Sequence, residues 1–178
     1  MLELNRATHL LQQGYRYWDA KRAGRPMPAR GDINPAEIPA LLPHVVLLEV
    51  LREAPSGNTT GAPLDFRYRL MGGAVEAHLT MRYTGLRMSE IPHQKPPSRM
   101  WQNFSTVVET ARPLVTQVPY IGQHKDFLAA QDLIAPLSED GRTVTMLFNL
   151  VDFLPRHGLG PVPAETPQPV PRPGKGAP

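Results

Sequence analysis

The 178-residue chain reads as an α+β domain built on an antiparallel sheet. Three observations carry that reading. Two strand-like runs, 45–52 and 65–71, come early in the chain. Three more, 114–121, 127–137 and 143–153, close its body, and the stretch between the two groups has helical rather than strand-like spacing. Strands segregated around a helical middle argue for an antiparallel sheet with helices packed against it.

Each element has its own signal. Over residues 4–22, Leu4, Ala7, Leu11, Tyr15 and Trp18 recur at helical steps, and Leu10 and Tyr17 widen the stripe. Gly24, Pro26 and Pro28 end that helix. In "DINPAEIPALLP", Asn34 caps a short helix, Pro35 suits its first turn, Glu37 sits at the capping-box position, and Pro39 keeps it short. "VVLLEVLR", 45–52, is apolar at nearly every position, as a strand buried on both faces requires. "EAPSGNTTGAP", 53–63, is a turn-rich connection. "DFRYRLMGG" alternates, with Phe66, Tyr68 and Leu70 on one face, before Gly72 and Gly73 let the backbone leave the sheet. Short helices and turns fill 74–95, and a longer helix spans 97–111, its stripe formed by Met100 or Trp101, Phe104, Val107 or Val108 and Ala111. Pro119 cannot donate to a ladder and marks its strand as an edge. "SEDGR" is a hairpin connection with Asp-Gly at the tip. In the last strand Val144, Met146, Phe148 and Leu150 share one face. The two most apolar strands, 45–52 and 143–153, belong together in the middle of the sheet, with 65–71 and the Pro119 strand at its edges.

Composition narrows the function classes. The chain holds no Cys, which excludes disulfides, thiolate nucleophiles and cysteine-attached chromophores. Net charge is +3, but Arg156, Arg172 and Lys175 in the last 24 residues face only Glu165, so the body carries +1 in scattered charges. A phosphate-binding face needs clustered bases, so nucleic acid is not an expected partner. No apolar run reaches membrane-spanning length and the N-terminus is too polar for a secretory signal, so the expected location is cytoplasmic and no membrane partner is expected. Eight of the 21 prolines fall in 155–178, a segment with almost nothing to place in a core.

Several spaced stretches resemble one family. Trp18, Arg22, Pro26 and Pro28, "DINPAEIPALLPHVVLLEV" at 32–50, "FRYRLMGGAVE" at 66–76 and "TGLRMSEI" at 84–91 are similar to a family of stand-alone bacterial PAS proteins, common in alphaproteobacteria. The resemblance covers roughly residues 15–152. Thr80 and Arg82 depart from it, standing where that family tends to have Gly and Asp before Thr84-Gly85. The resemblance implies a PAS-like five-stranded sheet in order 2-1-5-4-3 with helices on one face. It also implies a sensory or regulatory protein that works by contact with a signalling partner.

The candidate chemistry is thin. His124 and Asp126 in "HKD" lie in a turn with no nucleophile beside them, and no hydrolase, metalloprotease or phosphate-loop motif occurs. The expected protein is therefore not an enzyme. Haem is an alternative through His78 or His93 in the helical middle. A small enzyme or ligand carrier using the same cavity is another. The residues expected between sheet and helices are Tyr68, Leu70, Met88, Trp101, Phe104, Val108, Met146 and Phe148, which form either a dry core or a small-ligand pocket.

The expected organisation is an N-terminal amphipathic helix and linker at 1–30, a PAS-like domain at 31–154 and a Pro-rich disordered tail at 155–178. Both faces of "VVLLEVL" are apolar, and Leu147 and Val151 add apolar area away from Phe148, so the outer face needs a cover. The stripe of Leu4, Leu11, Tyr15 and Trp18 supplies one, packed in cis or across a homodimer. Deleting residues 155–178 is expected to leave the melting temperature within a few degrees. A larger drop in differential scanning fluorimetry would mean that the tail packs on the body.

Overall fold

The computed structural model describes residues 4–52, 64–120, 124 and 126–155. The connection at 53–63 and the tail from residue 156 lie outside the described residues, while Pro155 closes the last strand. Five strands form one antiparallel sheet: β1 (Val45–Arg52), β2 (Leu64–Met71), β3 (Leu114–Pro119), β4 (Phe127–Leu137) and β5 (Met146–Pro155). Their order is β2-β1-β5-β4-β3. The apolar β1 and β5 are neighbours, and the Pro119 strand and amphipathic β2 are the edges, as their sequences require. The helices are α1 (His9–Arg22), α2 (Gly73–Glu76) and α3 (Arg99–Thr110).

The sheet is covered on both faces. Leu133 of β4 and Leu150 of β5 stand opposite each other in the ladder, and both press on Gly14 of α1, where a Cβ would overlap Leu150 Cδ1. This fixes the outer face: Val45, Leu47 and Glu49 of β1 and Met146, Phe148 and Leu150 of β5 point toward it by register. The alternate set, with Leu48, Leu147 and Asn149, points toward α3. Phe66 of β2 meets Trp101 and Phe104 of α3 edge-on, with ring centroids 5.3 and 5.4 Å apart.

Two sequence expectations change here. Met146 and Phe148 lie on the outer face, not between the sheet and the helical middle, and Leu147 and Val151 take the inner side. Period two separates the two sets of β5 residues, but both sets are apolar and the pattern does not say which side each set meets. Leu70 also moves. Leu47 pairs with Leu70 and Leu48 with Tyr68, which leaves Arg69 as the extra residue of a β-bulge. Phe66 and Tyr68 stay buried on the inner face, whereas Leu70 turns outward and is 40% exposed.

α1 is held on the outer face in cis. Its expected start at residue 4 is interrupted, because the Thr8 side chain accepts from Leu11 N and caps the helix. Leu4 falls in a separate 3-10 turn, Leu4–Arg6, and is half-buried. Leu11 and Trp18 are buried and Tyr15 packs at the margin of the core. Gln131, outward on β4, accepts from Thr8 N at 3.0 Å and donates to the Arg6 carbonyl at 3.2 Å and to Gln117 Oε1 at 2.8 Å. Ten residues after Thr8, Trp18 Nε1 donates to the Pro136 carbonyl at 2.9 Å.

The connections follow local chemistry. Asn34 caps the 3-10 turn Pro35–Glu37 by accepting from Ala36 N. The Glu37 carboxylate goes to Lys21 Nζ at 2.6 Å instead of closing a capping box. Gly72 is required by close approach: its N–H donates to the Val45 carbonyl at 2.8 Å, and a Cβ there would overlap the Leu42 and Pro43 carbonyl oxygens. Gly85, at φ +93°, turns the chain back along β2. There Gly85 N donates to Tyr68 O and Tyr68 N to Leu86 O, so the free edge of β2 is partly satisfied. Ser98 caps α3 by accepting from Trp101 N.

Trp18→Ala is expected to lower unfolding free energy by about 3–5 kcal/mol, while Trp18→Phe keeps most of the ring and loses the indole donor and part of the packing, at about 1–2 kcal/mol. Urea titrations of the pair check this; equal losses would show that the Pro136 contact, not ring burial, holds the helix.

Candidate functional site

The face of the sheet beneath α3 carries a polar group in an apolar setting. By register Thr116 of β3 stands opposite Asp132 of β4, and Asn149 of β5 stands opposite Ile134, two residues along β4 from Asp132. All three alternate with outward-facing neighbours, Gln131, Leu133 and Leu150, so their side chains point to the α3 side. Asn149 Nδ2 donates to Asp132 Oδ1 at 3.4 Å. Asn149 is 4% exposed. Its Oδ1 and the Thr116 Oγ1 are shut off from solvent and have no hydrogen-bond partner. Leaving such an atom unpaired costs about 1–3 kcal/mol.

Asp132 is half-buried at its surface and its carboxyl lies deep among protein atoms. Burial drives its carboxyl up to about 6 and the Asn149 hydrogen bond offsets part of that shift. Among the described residues no basic side chain pairs with it. Tyr68 faces the same space: burial first, then Tyr83 and Asp132, hold its phenol far above the usual tyrosine range. It therefore stays protonated and donates to the buried Gln94 Oε1 at 2.6 Å. Tyr83, raised by burial, hydrogen-bonds His93 Nε2 at 3.2 Å.

The expected pocket residues divide between the two sides of the sheet. Tyr68, Met88, Trp101, Phe104 and Val108 belong to the inner, helical side. Leu70 and Met146, with Leu47, Glu49, Arg69 and Glu139, line an open outer groove of about 550 Å³, and Phe148 is buried on that same outer face. Thr116, Asp132, Gln94 and Asn149 were not expected as site residues. The available signal was a carboxylate and an amide inside the apolar strands "FLAAQDLIAPL" and "MLFNLV".

The two histidines considered for haem are engaged elsewhere. His78 stacks on Phe153 with centroids 3.7 Å apart and its Nδ1 is 2.8 Å from Tyr120 Oη. Burial, and then His124, push its ring below the usual histidine range. His124 and Asp126 are exposed. Among the described residues no group of three His, Asp or Glu is arranged to hold a metal ion, and no helix is long and apolar enough to cross a membrane.

An antiparallel 2-1-5-4-3 sheet with short helices and α3 over one face defines a PAS-type α+β domain. The sequence profile of the PAS domain matches residues 6–151, and the chain belongs to that family. No curated protein and no solved structure matches the chain.

Unfolded Asp132 ionises near 3.8 and the folded residue near 6. The folded state thus keeps the extra proton between those values, and stability falls as pH rises through that window and stays low above it. Asp132→Asn removes the charge, so the variant is expected to lie close to the parent at pH 4 and exceed it at pH 7.5 by about 3 kcal/mol. Urea unfolding at the two pH values tests this; an equal difference at both would show that Asp132 does not titrate in this window.

Proposed function

We propose that this PAS domain is a non-catalytic regulatory module that binds a small molecule on the covered face of its sheet and passes occupancy to a signalling partner by contact. Family membership supports a sensory or regulatory role. The observation that favours a small molecule is a buried acceptor, Asn149 Oδ1, and a buried hydroxyl, Thr116 Oγ1, both without hydrogen-bond partners. Native folds satisfy most buried polar atoms, and a bound molecule supplies donors that the chain does not. Tyr68, Met88, Trp101, Phe104 and Val108 are the apolar lining of this reading, on the same side of the sheet.

One observation favours an enzyme instead: a carboxyl at about 6 is suited to proton transfer near neutral pH. The alternative is weakened by the absence, among the described residues, of a hydroxyl or imidazole bonded to Asp132 as a nucleophile or relay. A homodimer in this reading uses the outer groove around Leu70 and Met146, since the α1 stripe is already buried in cis.

Native mass spectrometry of the purified chain, with an absorbance scan, tests the proposal. The expected result is a retained small molecule without a Soret band. A bare chain mass, with no metabolite raising the melting temperature, overturns the sensing claim. Conversion of the retained molecule to product on incubation overturns the non-catalytic one.

A further inference from the structure

We propose that Thr116, Asp132 and Asn149 form the anchoring end of a site for a cationic hydrogen-bond donor, an amine or amidinium, beneath α3. The inference rests on the small-molecule reading above and narrows it to one ligand class.

The first argument is the sign of the hydrogen bonds. Asp132 offers carboxylate oxygens. Asn149 directs one Nδ2 hydrogen at Asp132, and its Oδ1 is an acceptor with nothing to accept from. Thr116 Oγ1, on the neighbouring strand, is also unpartnered. Three adjacent strands thus present acceptors to one place, and a group rich in N–H satisfies them together.

The second argument is charge. The two arginines of β2 and the arginine beside its edge are engaged elsewhere. Arg67 and Arg69 lie 3.6 and 3.8 Å from Glu49 on the outer face, and Arg87 lies 3.9 Å from Asp65 at the β2 edge. None meets Asp132. A cation bound there supplies the missing charge and favours the ionised carboxylate. An anion would face a carboxylate at close range, and a neutral acceptor would find a donor in the Thr116 hydroxyl but leave the Asp132 and Asn149 oxygens without one. Phe66, Phe104 and Trp101 on the same side of the sheet give apolar and π surface to the rest of such a molecule.

The test uses the full chain. Benzylamine and benzamidine are titrated against benzyl alcohol and benzoate, with the Asn149 side-chain amide followed by ¹⁵N–¹H NMR. In parallel, a cell extract of small molecules is divided by cation exchange and each fraction is added. The amine or amidine, and the cation-exchange fraction, are expected to move the Asn149 signal. Asp132→Asn is expected to weaken binding by about tenfold to a hundredfold, and Thr116→Val to weaken it less. Benzoate or benzyl alcohol binding as well as the cations, or full affinity in Asp132→Asn, overturns the proposal. A response confined to the uncharged and anionic extract also overturns it while leaving the small-molecule reading intact. No response to any probe or fraction removes both.

Discussion

The fold turns on β4 being fixed to α1 at two points. The Gln131 amide holds the chain just before the helix, through Thr8 N and the Arg6 carbonyl. The Pro136 carbonyl receives the Trp18 indole near the helix's other end. Ten residues of helix rise about 15 Å, and five residues of strand about 17 Å, so the two contacts fit one helix lying along one strand. With those ends fixed, Leu11 and Gly14 are brought down onto Leu133 and Leu150. Phe148 and Leu150, at the middle of the outer face of β5, are then dry. Without this cover, a central strand apolar on both faces would expose one of them.

Much of this was legible in the sequence. β1 and β5 are apolar enough to demand the middle of the sheet, Pro119 demands an edge, and the stripe of α1 demands a partner surface. Less legible was which way β5 faces. Met146-Leu147-Phe148 offers apolar atoms to both sides, and burial alone does not distinguish them. Leu70 departs for a different reason: Arg69 falls in the polar phase of the alternation Phe66-Arg67-Tyr68-Arg69-Leu70, so nothing in the pattern marks it as the extra residue of a bulge.

The polar site was harder to see. Gln131 and Asp132 are adjacent and similar in size, yet one points to α1 and the other beneath α3. The first is fully bonded, and the second has only Asn149. Nothing in the residue types distinguishes a structural amide from a strained acid. The distinction appears only when register assigns each to a face. It also places opposite demands on one strand, since a slip of one residue would put the carboxylate under α1 and the amide beneath α3.

The bulge at Arg69 gives β2 a property that its neighbours lack. Leu47–Leu70 and Leu48–Tyr68 pair correctly on either side of it, so this residue belongs to the strand's length but not to its ladder. Removing it would shorten the chain by one residue without shifting the pairing of Phe66, Tyr68 or Leu70. The same deletion anywhere in β5, which is hydrogen-bonded on both sides, would turn half of the core outward. Length variation in β2 is therefore tolerated at Arg69, on the edge of the sheet, beside the outer groove and away from the polar group under α3.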